Sequence, residues 1–265
     1  MRALTSQAND LTEIPSFQVG HYSVQLATSE AQIAAAQALR YRVFYQEKQG
    51  QPTAQMIADR REVDEWDPVA YHIIVTDEQA GGAVVGTLRL VSNDNLADGQ
   101  QFYTEQAFNL NKLRGRYDRI LELSRYCIDP QGRSGTILML IWKYAMKFII
   151  DHQFQLMLGC ASFPGTDIVQ HQDILTYLYQ HNLAPRDLMP VPIVTNAVAI
   201  TELNHGIAAW ENAKQAVPTL LRGYLKLGAK ISDTAIIDPQ FNTVFVCIYV
   251  DAEEMLRDSH TLVAR

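Results

Sequence analysis

The chain has 265 residues, 48% of them hydrophobic and 19% charged, which is enough apolar material for one sizeable core and too much for a disordered chain. A formal net charge of −7 argues against a general nucleic-acid binder, whose affinity comes from Lys and Arg neutralising phosphates. Cys127, Cys160 and Cys247 are widely spaced and the histidines scattered, so neither a disulfide framework nor a metal site is expected, and a reducing, cytoplasmic compartment is.

In chain order, residues 1–18 read as a polar leader lacking the apolar run of a signal peptide. "HYSVQLAT" alternates as a first strand, and "SEAQIAAAQALRYRVFYQEKQ" as a helix opened by Ser29 and Gln32 at capping-box spacing. On that helix Arg40, Phe44 and Glu47 share a face, which makes Arg40 by default a surface residue or a strut to Glu47. Residues 49–67 read as a polar loop ending in "DEWDP". "AYHIIVTD" and "AVVGTLRLV" read as strands joined through Gly81-Gly82. Residues 92–118 read as a polar insertion with a short helix near "TEQAFNL".

A strand in "LELSRYCIDP" follows, then the greasy run "ILMLIWKYAMKFII". At 14 residues, with Lys143 and Lys147 inside it, this run is shorter than the ~20 residues of a membrane span and reads as a buried helix. "FQLMLGCAS" reads as a strand, and about 167–181 and 200–216 as helices. "PTLLRGYLKLG" reads as a short helix between Pro218 and Gly228, and "NTVFVCIYV" as the closing strand. Alternating strands and helices plus a hairpin predict a mixed α/β sheet in one domain over 19–255, with 256–265 as a tail.

"LELSRYCIDP" is the most informative stretch. Strict alternation puts Glu122, Ser124 and Tyr126 on one face and Leu121, Leu123, Arg125 and Cys127 on the other; a bulge would bring Arg125 round to Glu122. A carboxylate in such a strand needs a partner or a cavity, so Glu122 is either half of a structural pair with Arg125 or lies in a cleft as a base or a cation ligand. Downstream, "PQGRSGT" leads straight into a helix whose free N–H groups suit an anion, although an ordinary turn fits as well.

The ordered set "RYRVF", "DEWDPVAYHIIV", "VVGTLRLV" and "LELSRYCIDP" resembles the autoinducer-synthase branch of the GNAT-like acyltransferases. "GCASFPGTD", "PTLLRGYLKLGAKI" and "DPQFNTVFVCIYV" resemble the bacterial ornithine N-acyltransferases, which make lyso-ornithine lipid. The resemblance implies a GNAT-like fold: a mixed, mostly antiparallel central sheet flanked by helices, with an acyl cleft between two splayed central strands. Those strands would be the one ending near Ile128 and the one containing "LMLGCAS". It implies transfer of a long, 3-hydroxylated acyl group from acyl carrier protein to the α-amine of ornithine. Synthesis of other N-acyl amino acids or of acyl-homoserine lactones, and a non-catalytic acyl-carrier or lipid-binding module, stay open.

The resemblance carries over to Arg40 and Phe44 on the helix, Asp64 and Asp67 in Asp-x-x-Asp, Arg89, and Glu122 with Arg125 in Glu-x-x-Arg; the Trp expected shortly after Phe44 is missing. An amino acid arrives mainly as an ammonium, and only the neutral amine attacks a thioester, so a base is needed; Glu122 is the candidate. Asp64 and Asp67 would attract a cationic side chain, Arg89 or Arg125 would hold the carboxylate, and Ser124 lies with them. Arg133, Ser134, Gly135 and Thr136 form the candidate loop for the donor's phosphopantetheine, although "QGRSGT" departs from the usual pyrophosphate cradle. That departure favours acyl carrier protein over coenzyme A, with the thioester as co-substrate and no resident cofactor. An acidic carrier needs a basic patch, for which Arg114, Arg116, Arg119, Arg133, Lys143 and Lys147 are candidates. No nucleic-acid partner is expected, and a lipid-like product is compatible with peripheral membrane contact.

Overall fold

The computed structural model describes residues 14–133, 135–203 and 210–256. Ser134, most of the leader and most of the tail lie outside the described residues, as does part of the helix expected over 200–216. The described part of the leader is packed: Ile14 is buried and its carbonyl accepts from the Tyr144 hydroxyl at 2.9 Å.

The strands are β1 (Phe17–Val19), β2 (Tyr22–Leu26), β3 (Tyr71–Asp77), β4 (Ala83–Ser92), β5 (Phe108–Asn109), β6 (Ile120–Ile128), β7 (Leu156–Pro164), β8 (Val191–Pro192), β9 (Ala197–Ala199), β10 (Lys230–Asp238) and β11 (Thr243–Asp251). Among the described residues, nine of these form one sheet in the order β1-β2-β3-β4-β6-β7-β11-β10-β9, while β5 pairs with β8. Every pairing in the large sheet is antiparallel except β6 with β7.

The helices are α1 (Glu30–Tyr41), α2 (Ala54–Asp59), α3 (Asn111–Arg114), α4 (Gly135–Asp151), α5 (Gln172–Asn182), α6 (Trp210–Ala216) and α7 (Thr219–Lys226). Ser29 and Gln32 close the expected capping box on α1. The helix then widens into a π-helical segment, Arg42–Glu47, which breaks the spacing that put Arg40, Phe44 and Glu47 on one face. The segment expected as a bare loop contains α2, capped by Thr53. β10 was not expected; "AKISDTAIID" interrupts its apolar residues with Ser, Asp and Thr, which masks the alternation.

Alternation sorts the sheet into two faces. Ile73, Val75, Leu88, Leu90, Leu121 and Leu123 point to one face, where the apolar stripe of α4 (Ile137, Leu140, Ile141, Tyr144, Phe148) covers them. Ile74, Arg89 and Glu122 point to the other face, beneath α1 and the segment between β4 and β6. Burial of each large apolar side chain contributes about 1.5–3 kcal/mol and holds both layers to the sheet.

Candidate active site

The parallel pair β6–β7 is joined only from Ile120↔Leu156 to Leu123↔Gly159. Beyond that point β6 stays with β4 through Cys127 and Ile128, and β7 stays with β11 as far as Pro164. Residues 124–128 and 160–164 therefore diverge, leaving a wedge with backbone groups on both walls that no neighbouring strand pairs. Its apex needs Gly159, because a side chain there would overlap the Leu123 carbonyl. The wedge opens at the carboxyl ends of β6 and β7, where α4 begins and the turn from β10 to β11 also lies.

β6 carries a bulge. Thr87 pairs with Cys127 but Arg89 with Ser124, and Arg125 takes a left-handed φ of 56°. The extra residue brings Arg125 and Cys127 onto the face of Glu122, against the expectation from strict alternation. The pairing of Arg125 with Glu122 is nevertheless not formed. Arg125 instead donates through Nε to Glu62 at 2.9 Å and through Nη2 to Asp64 at 2.9 Å. Its guanidinium lies between the rings of Tyr103 and Phe241, 4.4 and 4.6 Å from their centroids.

Arg125 belongs to a buried ionic network. Arg40, fully buried, meets Glu62 at 2.5 Å and Asp67 at 2.6 Å, so it is neither a surface residue nor a strut to Glu47, which pairs with Arg133. Arg89 donates through Nη1 to Asp64 and to Asp67, the latter at 3.1 Å, and through Nε to Ser124 at 3.1 Å. Three guanidiniums thus neutralise three carboxylates. Burial pushes the Arg40 and Arg125 pKa values down, but the carboxylates, Glu62 first, outweigh it and hold both above the ordinary range. Burial would raise Asp67; Arg40 outweighs that and holds it well below the carboxylate range. Asp64 and Asp67 therefore face arginines of the chain itself, not an open site for a cationic ligand.

Glu122 sits one residue before the last β6–β7 pair and has no exposed surface. It accepts from the Thr104 hydroxyl at 2.6 Å, the Thr104 N–H at 2.7 Å and the Tyr103 N–H at 3.0 Å. Burial raises its pKa; the Thr104 hydroxyl and the backbone donors oppose the shift without cancelling it. Thr104 Oγ1 also lies 3.6 Å from Sγ of Cys160, the first residue of β7 past the apex, which is half-buried. A hydroxyl thus stands between the buried carboxylate and the wedge.

Phe44 is half-buried and packs edge-on against Phe241 at 5.7 Å, with Lys48 over its ring. Gly135 and Thr136 start α4 at the wedge mouth, and Arg133 beside them meets Glu47 Oε2 at 2.6 Å. The six cations expected to form one patch do not. Arg114, Arg116 and Arg119 precede β6, and Lys147 pairs with Asp151 at the far end of α4, while Arg133 follows β6. A nine-residue strand, about 30 Å long, separates the two groups. The cations at the mouth are Arg133, Arg42 on Asp129, and Lys48, whose carbonyl accepts from Asn242.

Sequence reasoning missed Glu62, Tyr103 and Thr104, and held Phe241 only within the stretch "DPQFNTVFVCIYV", with no role at Arg125. Each lies on a loop or short turn far in sequence from β6, with no periodic signal. The Asp-x-x-Asp spacing beside Glu62 is the nearest hint.

A model of the acetyltransferase (GNAT) domain matches residues 39–143, which reach from α1 into α4. The chain is 33% identical over 241 residues to a protein of Rhodobacter capsulatus named L-ornithine N(alpha)-acyltransferase, covering 88% of this chain and 91% of that one. A protein of the same name from Agrobacterium fabrum is 32% identical over 243 residues, covering 87% and 80% respectively. Among solved structures, an N-acyl amino acid synthase from uncultured soil microbes superposes with a TM-score of 0.45 at 10% identity, covering 88% of this chain and 92% of that one.

Proposed function

The chain belongs to the L-ornithine N(alpha)-acyltransferase family, and from that premise we propose that it transfers a long-chain, 3-hydroxylated fatty acyl group from acyl carrier protein to the α-amine of ornithine. The observation that supports this reading best is the wedge between β6 and β7, with Glu122 and Thr104 at its apex. Unpaired strand edges suit an extended arm bearing secondary amides, which can hydrogen-bond to them as an added strand does. Phosphopantetheine is such an arm, and it would bring its thioester toward Gly159.

In the proposed reaction the neutral α-amine attacks the thioester carbonyl. The nitrogen–carbon bond forms, the carbon–sulfur bond breaks, and the leaving thiolate takes up the proton that the amine has shed, returned from Glu122 through Thr104, so that a thiol departs and the base is reset. The proton shed by the amine passes to the Thr104 hydroxyl oxygen as the Thr104 proton moves to Glu122 Oε1, so the buried carboxylate acts as base through a relay. Arg125, the least buried of the three arginines, would hold the acceptor carboxylate. Arg42, Lys48 and Arg133 would meet the acidic carrier at the mouth, Arg42 and Arg133 exchanging their weak surface pairs for its carboxylates. The reaction belongs to the cytoplasm, where carrier protein is charged, with the membrane receiving the product. Among the described residues no helix is long and apolar enough to cross a membrane.

The deciding experiment incubates the protein with 3-hydroxyacyl-loaded carrier, or the matching coenzyme A thioester, and a panel of amino acids, and identifies products by mass spectrometry. Acylated ornithine from the carrier-bound donor is expected. A lactone formed only with S-adenosylmethionine, or carrier binding without any product, would overturn the proposal.

A further inference from the structure

The three carboxylates of the buried network are matched by three arginines, so none of them is left to receive the charged end of a diamino acid. Another carboxylate borders the wedge. Asp238 ends β10 in a row across the sheet, Asp238↔Thr243 and Thr243↔Pro164, at the mouth of the opening. Alternation along β10 puts it on the face of Ile236, which packs with Phe245 and Cys247 on the side that holds Tyr103 and Cys160. Asp238 is half-buried and forms no ion pair among the described residues. Its Oδ1 accepts from the Phe241 N–H at 3.2 Å, and the Phe241 ring lies on the Arg125 guanidinium. One short turn therefore carries both an aromatic wall of the site and a carboxylate with an oxygen to spare. Burial is the main reason why the Tyr103 and Cys160 pKa values are raised, and the Asp238 charge adds to both, which sets it within electrostatic reach of the apex.

We propose that Asp238 is the specificity-determining residue that receives the side-chain ammonium of the acceptor amino acid. The inference rests on the ornithine reading and adds the group that tells ornithine from a neutral amino acid of the same length. With the α-amine beside Thr104 and the carboxylate on Arg125, the acceptor side chain runs toward the mouth and Asp238. A site with a charged partner for the ammonium discriminates against an uncharged analogue because that analogue leaves the carboxylate desolvated and unpaired.

The test compares ornithine with 2-aminopentanoate, which has the same carbon skeleton without the terminal amine, in the native protein and in Asp238→Asn. Asparagine keeps an oxygen for the Phe241 N–H and removes only the charge. The expected result is a loss of about 10- to 100-fold in the preference for ornithine, carried by a higher KM for ornithine rather than by kcat. An unchanged preference in Asp238→Asn, with the native protein acylating ornithine, overturns the inference and leaves the ornithine reading standing. Equal losses on both substrates overturn it too, since a merely structural role would act on both. A native protein that acylates no ornithine overturns the reading beneath it.

Discussion

Arg125 is bonded to Glu62, not to Glu122, although Glu122 is three residues away on the same strand and Glu62 is 63 residues away in sequence. The bulge that turns Arg125 onto the Glu122 face also aims its guanidinium at the loop carrying Glu62 and Asp64. Glu122 is left to the Tyr103–Thr104 turn.

Glu62 bridges Arg40 and Arg125; Glu62 and Arg40 are buried and Arg125 is half-buried. Removing it strands two guanidiniums, so Glu62→Ala should lower unfolding stability by about 3–5 kcal/mol. Urea denaturation is the measurement; a loss below about 1 kcal/mol would show that the network relaxes or hydrates.

Burial raises the Glu122 pKa above the usual carboxylate range even after the Thr104 and backbone bonds oppose it. A base must be ionised, so kcat/KM should fall as pH drops through that raised value, with the acidic limb above about 4.5. Glu122→Gln should abolish the limb and lower turnover by roughly 10²–10⁴-fold. Thr104→Ser should keep the relay and Thr104→Val should lose it. Full turnover in a folded Glu122→Gln protein would remove Glu122 from the role.

His72 is 2% exposed, and its pKa is pushed down by burial first and by Arg40 next, so the folded protein keeps it neutral. The unfolded chain takes up the proton near pH 6.5. Its contribution is therefore complete above about pH 6.5 and is lost as pH falls below that value toward the folded pKa. Denaturation midpoints across this range should drop on acidification, and His72→Gln should flatten the slope. An identical slope in the variant would assign it to other groups.

Gly159→Ala places a methyl against the Leu123 carbonyl where β6 and β7 part. Because the obstacle is backbone, the apex must spread, at a cost of about 1–3 kcal/mol. Thermal melting and turnover should both suffer; a neutral effect would mean the apex is softer than drawn.

If carrier protein docks at the mouth, reversing charge at Arg42 and Arg133, both exposed, should raise KM for the carrier-bound donor about 10-fold with kcat kept. The gap between variant and native protein should narrow at high salt, where long-range attraction is screened. An equal KM at low salt would move the docking surface elsewhere.

Much of the architecture was legible because it depends on local periodicity. The α1 capping box, the β3–β4 pair, the buried α4 and the Glu-bearing strand between apolar neighbours all follow from spacings within a few residues. Arg40, Asp64, Asp67, Arg89, Ser124 and Arg125 were all singled out, and they do meet. Their partners were not legible. A guanidinium bonds whichever carboxylate the fold brings within about 3 Å, and spacing along one strand says nothing of a loop that returns from far away.

The amino-acid sequence by itself determined most of the stretches that become strands and helices and that β6 carries a carboxylate between apolar neighbours, because those features follow the local spacing of apolar side chains. Only the tertiary structure decided which charge meets which. An extra residue at Arg125, a glycine at the apex and the turn that starts at Asp238 and lays Phe241 on Arg125 act through contacts between distant segments, and those form only once the sheet has closed.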